Sequence, residues 1–523
     1  MASHFKWYPS DEEVVVPFNA RYSFPSQANK AVKLTPRIPP KSGSSFTPGQ
    51  VIRLEFPAQG YVNPINTTLE FDVTISDWGT PNNAVTRFQN NIQSIFSRVR
   101  LLYGATPIED VINYNTIVRA LTEWTATNQT NSMDHTSIAE GIGGVVVGTD
   151  GDASNNTFGL VNVRQAYIQG IDNSNGTAPA TPVFGNGGVK FGTCYATRRY
   201  QVNFALGLFT QDKLIPTKFM ASQLAIELTL ESAPACMITI SGASAPSGTA
   251  ATYSVSNVNL IPEILEFDAS YDALFLQGLR EGGVPIKFAT WHTYIFSTGG
   301  SSTMNLQIQE RSRSVKALFA VQRKGTASAY LDSGALLFSS NGSLQNYQYR
   351  IGGRYFPAAP VQTTTVVGGA VTNGGAEAYL ELQKALNQVG DYRLSTSVNT
   401  LRWALPPFSS AIGLNGNSSS DSDLDYASDI TTFSSSVPTA KMITIGASSP
   451  FSGSVGSACF AAAIDLETSN GVEISGLNAE EQSDISLLMQ FSSAQTSTNV
   501  IEVYSYFDSM IILRENNVLE LIQ

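Results

Sequence analysis

Charged side chains are scarce in this sequence of 523 residues. Asp, Glu, Lys and Arg make up 14% of it, whereas soluble domains usually hold roughly a quarter. The 42 acidic residues outnumber the 31 basic ones, which leaves a formal net charge of −11. Because proteins gain affinity for nucleic acid by neutralising phosphates with Lys and Arg, an acidic chain is a poor candidate for coating DNA over its whole surface. We expect no specific nucleic-acid partner.

Two short basic pairs stand out against this acidic balance. Arg98 lies two positions before Arg100, and Arg198 is followed directly by Arg199. Neither pair extends into a longer basic segment. We interpret both pairs as ordinary charges on a strand surface, and a contact with nucleic acid in the interior of an assembly is the alternative.

Cysteine is nearly absent. Cys194, Cys236 and Cys459 are odd in number, far apart and free of any CxxC spacing, which argues against a disulfide framework and a structural zinc site. Residues 11–13 are Asp-Glu-Glu, where a signal peptide would need apolar residues. No run approaches the 18 apolar residues or so of a membrane span. We therefore expect a soluble chain that is not conventionally secreted and that assembles in a reducing compartment.

Motifs of common catalytic and metal sites are also missing. The three histidines, His4, His135 and His292, are scattered along the chain. There is no HExxH pair of a zinc protease, no GxSxG nucleophile elbow, and no Gly-Lys dipeptide for a phosphate-binding loop. We expect no catalytic residue, no cofactor and no metal ion, and hence no enzyme.

Two acidic clusters need a separate interpretation. Asp421, Asp423 and Asp425 stand at alternate positions, as ligands of a hard cation can. They lack the glycine and the closing glutamate of a helix–loop–helix calcium site. We interpret them as a solvated Ser/Asp-rich loop, and we interpret Asp150 and Asp152 in the same way.

The low content of charged residues is balanced by neutral polar residues, together with 42 Gly and 24 Pro. This composition favours an all-β protein with many turns. Leu69, Phe71, Val73 and Ile75 alternate with polar residues, so one face of the predicted strand is buried and the other is wet. Similar patterns occur in residues 94–111, with a break at Gly104, in 223–231 and in 256–268.

Helical spacing is found in only a few places. Residues 115–124 predict one helix with Asn115 as its N-cap, and residues 376–390 predict another that ends at Gly390. We interpret both as helices that cover a sheet.

These elements recur in the same order. The helices centre near residues 120 and 383, and the strand that starts at Leu224 has a counterpart in 484–492, with Leu224 aligned on Ser486. In each case another strand follows. The repeat predicts a tandem duplication of one domain. We expect an extended N-terminal arm at 1–46, a first domain at 47–270 and a second domain at 271–523.

Long stretches rich in Gly, Ser, Thr and Asn separate the strands. Loops of this length are uncommon in compact domains unless they serve a purpose. We interpret them as insertions that form a tower or outer face on a sandwich scaffold. They are residues 140–190, 240–256, 357–376 and 409–457.

Residues 55–75 and 89–121 resemble the major capsid proteins of polinton-like viruses and, more loosely, those of virophages. Residues 500–513 resemble the last strand of the same proteins. The resemblance implies an all-β fold of two tandem eight-stranded jelly rolls, a double jelly roll, with a few short flanking helices and long loops.

The resemblance also implies a function. Three subunits would form a homotrimer with a pseudo-hexagonal outline, a capsomer that tiles the icosahedral shell of a double-stranded DNA virus. Its partners would be neighbouring capsomers and penton and minor capsid proteins, and the arm at 1–46 would clamp neighbours or minor capsid proteins. The protein would be part of the virion shell, assembled inside the host cell.

Three other functions compete with this one. A carbohydrate-binding β-sandwich surface protein could stack sugars on exposed aromatic residues such as Trp78, Tyr253 or Tyr355. A hydrolase on a β scaffold would need a triad or paired carboxylates that the sequence does not reveal. A minor capsid or penton protein would usually be a single jelly roll, which the duplication disfavours.

Overall fold

A computed structural model describes the fold of most of the two predicted domains. Everything structural that follows concerns the described residues, which are 31–76, 84–88, 91–125, 139, 147–149, 158–160, 168–172, 194–195, 197–241, 252–324, 344–363, 365–367, 370–373, 375–386, 460–467, 475–480, 484–495, 497, 499–514 and 519–523.

The elements are mainly strands. Those of the first half are β1 (Ala31–Leu34), β2 (Ser45–Phe46), β3 (Val51–Glu55), β4 (Tyr61–Ser76), β5 (Ala84–Phe88), β6 (Phe96–Tyr103), β7 (Thr106–Ile112), β8 (Val147–Thr149), β9 (Phe158–Leu160), β10 (Ile168–Asp172), β11 (Cys194–Tyr195), β12 (Thr197–Asn203), β13 (Leu224–Leu230), β14 (Met237–Ser241) and β15 (Thr252–Phe267). Those of the second half are β16 (Val284–Ser297), β17 (Thr303–Ile308), β18 (Val315–Lys324), β19 (Leu344–Ile351), β20 (Arg354–Gln362), β21 (Thr365–Val367), β22 (Ala370–Asn373), β23 (Ala462–Asp465), β24 (Ile485–Phe491), β25 (Asn499–Leu513) and β26 (Leu519–Ile522).

Helices are short and few among the described residues. They are α1 (Tyr114–Thr125), α2 (Gly207–Thr210), α3 (Ala233–Cys236), α4 (Ala269–Glu281) and α5 (Ala376–Ala385), with 3-10 turns at Ile92–Ile95 and Thr217–Phe219. None of the helices in the described part of the chain is long and apolar enough to cross a membrane.

Each half of the chain forms a jelly roll. In this fold the eight strands, lettered B to I in chain order, form one sheet in the order B-I-D-G and another in the order C-H-E-F. The first half has the sheets β1-β15-β4-β12, with β2 also on β15, and β3-β13-β6-β7. The second half has β16-β25-β18-β23 and β17-β24-β19-β20. The two halves therefore share one strand order, and the predicted double jelly roll is confirmed.

The repeat seen in the sequence corresponds to equivalent elements of the two jelly rolls. Strands β13 and β24 contain the aligned residues Leu224 and Ser486, and each is the H strand of its own jelly roll. Strands β15 and β25 are both the I strand. Helices α1 and α5 both lie in the connection from the F strand to the G strand. Order and pattern alone thus predicted the correspondence between the halves.

Alternation along β4 builds the core of the first jelly roll. Leu69, Phe71, Val73 and Ile75 are buried between its two sheets, as their spacing predicted. Gly104 forms the turn between β6 and β7 at the predicted break. Its φ of +62° lies in the left-handed region that suits glycine.

Several segments differ from the predictions. Residues 31–34 and 45–46, placed in the extended arm, are β1 and β2 and pair antiparallel with β15. They supply the B strand that the first sheet needs. The stretch 357–376, expected to be a loop insertion, continues β20 to Gln362 and then forms the antiparallel pair β21–β22. Its Thr and Val residues favour strands.

Four strands of the first half form a sheet of their own, with the order β11-β10-β5-β14. Of these, β10 lies within the predicted insertion 140–190, and β14 ends within the predicted insertion 240–256, in which β15 also begins, at Thr252. Strand β5 comes from the D–E connection, β10 and β11 from the F–G connection, and β14 from the H–I connection. These three connections leave the jelly roll at the same end. The insertion at 409–457 lies outside the described residues.

Helix α1 begins one residue earlier than predicted, at Tyr114, so Asn115 lies within the helix and is not its N-cap. The carbonyl of Asn113, a residue with φ of +54°, instead accepts hydrogen bonds from the backbone amides of Thr116 and Ile117. Helix α5 ends at Ala385, before the predicted Gly390, which lies outside the described residues.

Candidate functional site at the junction of the two jelly rolls

His292, the one histidine among the described residues, contacts other side chains of the protein. Nδ1 of His292 lies 3.3 Å from Oε2 of Glu310, a buried carboxylate that also accepts a 2.6 Å hydrogen bond from the hydroxyl of Ser312. Burial alone would raise the pKa of Glu310, but the interactions with His292 and Ser312 lower it to about 2. His4 and His135 lie outside the described residues.

The other titratable candidates form no metal site where the structure describes them. In that part of the chain no three His, Cys, Asp or Glu side chains gather in a way that could hold a metal ion. Asp421, Asp423, Asp425, Asp150 and Asp152 lie outside it. Cys236 is buried, which raises the pKa of its thiol, Cys459 is outside the described residues, and of Cys194 only the backbone in β11 is described.

The basic pairs have partners on their own sheets. Nε of Arg98 donates to Asp110 at 2.7 Å, and Nε of Arg199 donates to Asp72 at 2.6 Å. Arg198 lies over a neighbouring tyrosine ring, 4.7 Å from its centroid. These contacts favour the interpretation as strand-surface charges.

Two of the three aromatic residues proposed to stack on sugars are described, and they lie in different environments. Tyr253 is buried, and its hydroxyl donates to the carbonyl of Glu231 at 2.6 Å, so its ring faces no solvent. Tyr355 is exposed on β20. Trp78 lies outside the described residues. Among the described residues, Tyr253 and Tyr355 therefore form no shared surface on which a sugar could stack.

The arrangement that stands out is the junction between the jelly rolls. Strand β7 and helix α2 of the first jelly roll face β16, the B strand of the second. The carboxylate of Glu109 is fully buried there and accepts hydrogen bonds from the backbone amides of Gly207 and Leu208, both at 2.8 Å, and from Thr290 at 2.7 Å. Burial raises the pKa of Glu109. One side chain thus ties three elements from both halves together.

The approach of α2 to β16 is very close. A Cβ atom placed on Gly207 would lie 2.0 Å from the carbonyl oxygen of Ala289. No side chain fits there, so the position requires glycine. Nearby, the hydroxyl of Thr293 donates to the carbonyl of Ile112 at 2.8 Å. The two jelly rolls therefore meet with their backbones in contact.

Aromatic rings fill the centre of the junction. Trp124, at the end of α1, stacks on Phe319 of β18 with ring centroids 5.2 Å apart. Trp291 of β16 packs on the same Phe319 at 5.8 Å. All three rings are buried. Because aromatic side chains bury much apolar area each, this stack contributes strongly to holding the halves together.

A buried ion pair lies beside the stack. Glu502 of β25 pairs with Arg323, accepts a 2.6 Å hydrogen bond from Tyr504, and accepts another from Asn113 of the first jelly roll. Burial alone would raise the pKa of Glu502, but the charge and hydrogen bonds of Arg323 lower it. Asn113 thus adds a hydrogen bond to this ion pair from across the junction.

Sequence patterns did not predict the contacts across the junction. Glu109 and Thr290 are 181 positions apart, and Asn113 and Glu502 are 389 apart. The one local signal was the position of Glu109 next to Ile108 in a predicted strand, since both residues are buried.

No protein-family model matches the sequence, and no curated protein matches it. Solved structures do match the fold. A chain in the capsid of the virus PBCV-1 is similar with a TM-score of 0.50 and 11% identity, over 96% of this chain and 99% of that one. A chain of the Sputnik virophage is similar with a TM-score of 0.50 and 10% identity, over 98% of this chain and 92% of that one. These similarities agree with the double jelly-roll fold of the described residues.

Proposed function

We propose that the chain is a major capsid protein: a structural subunit, not an enzyme, that forms homotrimers. The trimers would be pseudo-hexagonal capsomers of the icosahedral shell of a double-stranded DNA virus. Neighbouring capsomers and penton and minor capsid proteins would be its partners, with no specific nucleic acid. Its place would be the virion shell, after assembly inside the host cell.

The observation that carries the proposal is the pairing of two jelly rolls of one strand order through a buried junction. Glu109, Gly207 and Trp124 fix the two sandwiches side by side as one unit. An oligomer with threefold symmetry built from such a unit presents six similar lobes. A six-lobed block tiles a closed surface with hexagonal neighbours, which is what a shell subunit must do.

The similarity to a chain of the PBCV-1 capsid supports the same conclusion, because that chain has this fold and serves in a shell. A subunit of this kind acts through its surfaces.

The domain division belongs to this proposal. We place the first jelly roll up to residue 270 and the second at 271–523, a boundary that lies in the first turn of α4, which begins at Ala269. The arm would then be the part of 1–46 that precedes β1, since β1 and β2 pair with β15.

Native mass spectrometry of the purified chain tests the proposal. The expected result is a species at three times the chain mass of 56.1 kDa. The same sample analysed in denaturant supplies the monomer reference. A persistent monomer at micromolar concentration would overturn the proposal.

A further inference from the structure

One lysine of the second jelly roll contacts two carboxylates at once. Lys316 is the second residue of β18, and Asp508 lies on the neighbouring strand β25. Nζ of Lys316 is 3.2 Å from Oδ1 of Asp508 and 3.1 Å from Oε1 of Glu467, which follows β23. Three strands of one sheet thus bring an amine, a carboxylate and a second carboxylate together.

A β-bulge directs Lys316 to this position. Val315 pairs with Phe507 and Ala317 pairs with Tyr506, so Lys316 is an extra residue of β18 between two successive residues of β25. A bulge changes the direction of a side chain, and bulges are frequent beside functional sites.

The three side chains are largely removed from water. The exposed fraction of the side chain is 18% for Lys316, 10% for Asp508 and 5% for Glu467. Burial alone would lower the pKa of Lys316, but the two carboxylates raise it, so the amine rests as an ammonium ion. Because water is mostly excluded, a proton that leaves the amine passes directly to a carboxylate that touches it.

Asp508 is held through its second oxygen. Oδ2 accepts a 2.7 Å hydrogen bond from the hydroxyl of Ser314, and the backbone amide of Ser475 donates to it at 3.4 Å. The oxygen of Ser314 is fixed in turn by a 2.9 Å hydrogen bond from the backbone amide of Gly476. Donors aimed at one oxygen stabilise the negative charge that forms there when a nucleophile adds to the carboxyl carbon.

The segment at 475–480 closes the site and packs directly on β18. Leu477 and Val315 exchange two backbone hydrogen bonds of 2.8 Å. A Cβ atom on Gly476 would lie 2.6 Å from the backbone of Val315, so the position requires glycine. The hydroxyl of Ser475 donates a 2.8 Å hydrogen bond to Oε1 of Glu467. The segment therefore fixes both carboxylates against the amine, and positioned groups of this kind react far faster than separate ones.

We propose that Lys316 and Asp508 form an intramolecular isopeptide bond, with Glu467 as the group that carries the protons. Glu467 takes a proton from the ammonium ion and passes it to Oδ1 of Asp508. The amine then attacks Cγ, the C–N bond forms, and the negative charge goes to Oδ2. Glu467 moves a second proton from the nitrogen to Oδ1, which leaves as water when its C–O bond breaks. One ammonium ion and one carboxylate thus give one amide and one water molecule, and no other reactant is needed.

The bond would join the D strand to the I strand in the middle of their sheet. Residues that are distant in sequence would be linked, which restricts the unfolded chain as a disulfide does. The reaction occurs once in each chain and gives no turnover. Because the bond lies within one chain, it does not depend on the proposed function.

Intact mass spectrometry of the purified full chain in denaturant tests the proposal. The unchanged chain should be lighter than its sequence mass by one water molecule, and trypsin should release a branched peptide that joins residues 314–323 to residues 442–514. Lys316→Arg should have its full sequence mass, because a guanidinium group does not give up its proton. Lys218→Arg is the matched control: Lys218 also pairs with an aspartate, Asp272, but it is 49% exposed. This variant should keep the loss of water.

Two further variants test the chemistry. Glu467→Gln should form the bond at least about 100-fold more slowly, the usual effect of losing a proton-transfer group. Circular dichroism and thermal unfolding check that this variant is folded. Asp508→Asn should form the same bond with loss of ammonia in place of water, since the amide nitrogen is then the leaving group.

The opposite results overturn the proposal. A folded unchanged chain that keeps its full sequence mass after prolonged incubation would show that Lys316 and Asp508 form an ion pair only. Loss of water from Lys316→Arg or from Asp508→Asn would place the bond elsewhere. A Glu467→Gln variant that reacts as fast as the unchanged chain would overturn the role of Glu467. None of these results changes the oligomeric state expected of a capsid subunit, so the two proposals can fail separately.

Discussion

Trp124 of the first jelly roll stacks on Phe319 of the second, with ring centroids 5.2 Å apart and ring planes inclined by 24°. One residue ends the helix after an F strand, and the other lies in the middle of a D strand. Both rings are buried, so each jelly roll alone would expose an apolar ring to water. The pair makes the two sandwiches one structural unit.

Trp124→Ala should lower the free energy of unfolding by about 3–5 kcal/mol, the usual cost of removing a large buried ring. Because the ring bridges the halves, differential scanning calorimetry should also show the single transition broadening or splitting in two. Leu274→Ala, on the exposed helix α4, should change stability by no more than about 0.5 kcal/mol. Equal effects of the two substitutions would contradict the role of the stack.

Gly207→Ala should destabilise the chain by about 1–3 kcal/mol or more, because the new methyl group would meet the carbonyl of Ala289 at 2.0 Å. Gly278→Ala, in α4, is the matched control, because a Cβ atom there would lie 4.0 Å from its nearest neighbour, Cγ2 of Val284. Alanine there should be neutral or stabilising by up to about 1 kcal/mol. Chemical denaturation measures both. An unaffected Gly207→Ala variant would mean that α2 and β16 do not touch.

Glu502→Gln should cost about 3–5 kcal/mol, since Arg323 would keep a buried charge without its counter-charge. Replacing both residues, as Glu502→Gln with Arg323→Met, should cost less than the sum of the single substitutions. A double-mutant cycle in denaturant measures the coupling. Additive effects would show that the pair does not interact.

The same carboxylate predicts a pH dependence. The folded-state pKa of Glu502 lies below its ordinary value of 4.5. Its contribution to stability is therefore fully present above 4.5 and is lost as the pH falls through the lowered folded-state pKa. Glu502→Gln should lack this acid-side loss, and a stability profile as steep as that of the unchanged chain would contradict the assignment.

The contribution of Glu109 to stability should depend on pH in the opposite direction. Burial raises its folded-state pKa above the ordinary value of 4.5. Its contribution is then greatest below 4.5 and declines as the pH rises through the raised pKa. The difference in unfolding free energy between the unchanged chain and Glu109→Gln should therefore shrink as the pH rises through this range. A difference that grows with pH would mean that the carboxylate ionises easily in the junction.

Alternation and repeat order predicted two tandem β domains, and the resemblance to capsid proteins implied the jelly-roll topology. A buried sheet face was indicated directly by the alternation of Leu69, Phe71, Val73 and Ile75, because a strand places every second side chain on one side. The match of Leu224 with Ser486 located the two H strands. Local pattern carries this information because each strand buries its own residues.

The junction could not be predicted in the same way. Glu109 looks like any acidic residue in a strand, and its partner Thr290 belongs to the other half of the chain. Residues 31–34 read as an arm because the strand they pair with, ending at Phe267, is distant in sequence. Contacts between remote segments leave no local period, so only the folded structure reveals them.

Electron cryomicroscopy of the assembled particle tests the central claim most directly. Class averages viewed down the symmetry axis should show a ring of six similar lobes made by three chains, because each chain supplies two jelly rolls of one strand order. Isolated two-lobed particles, or an assembly whose lobes do not number two per chain, would contradict the account.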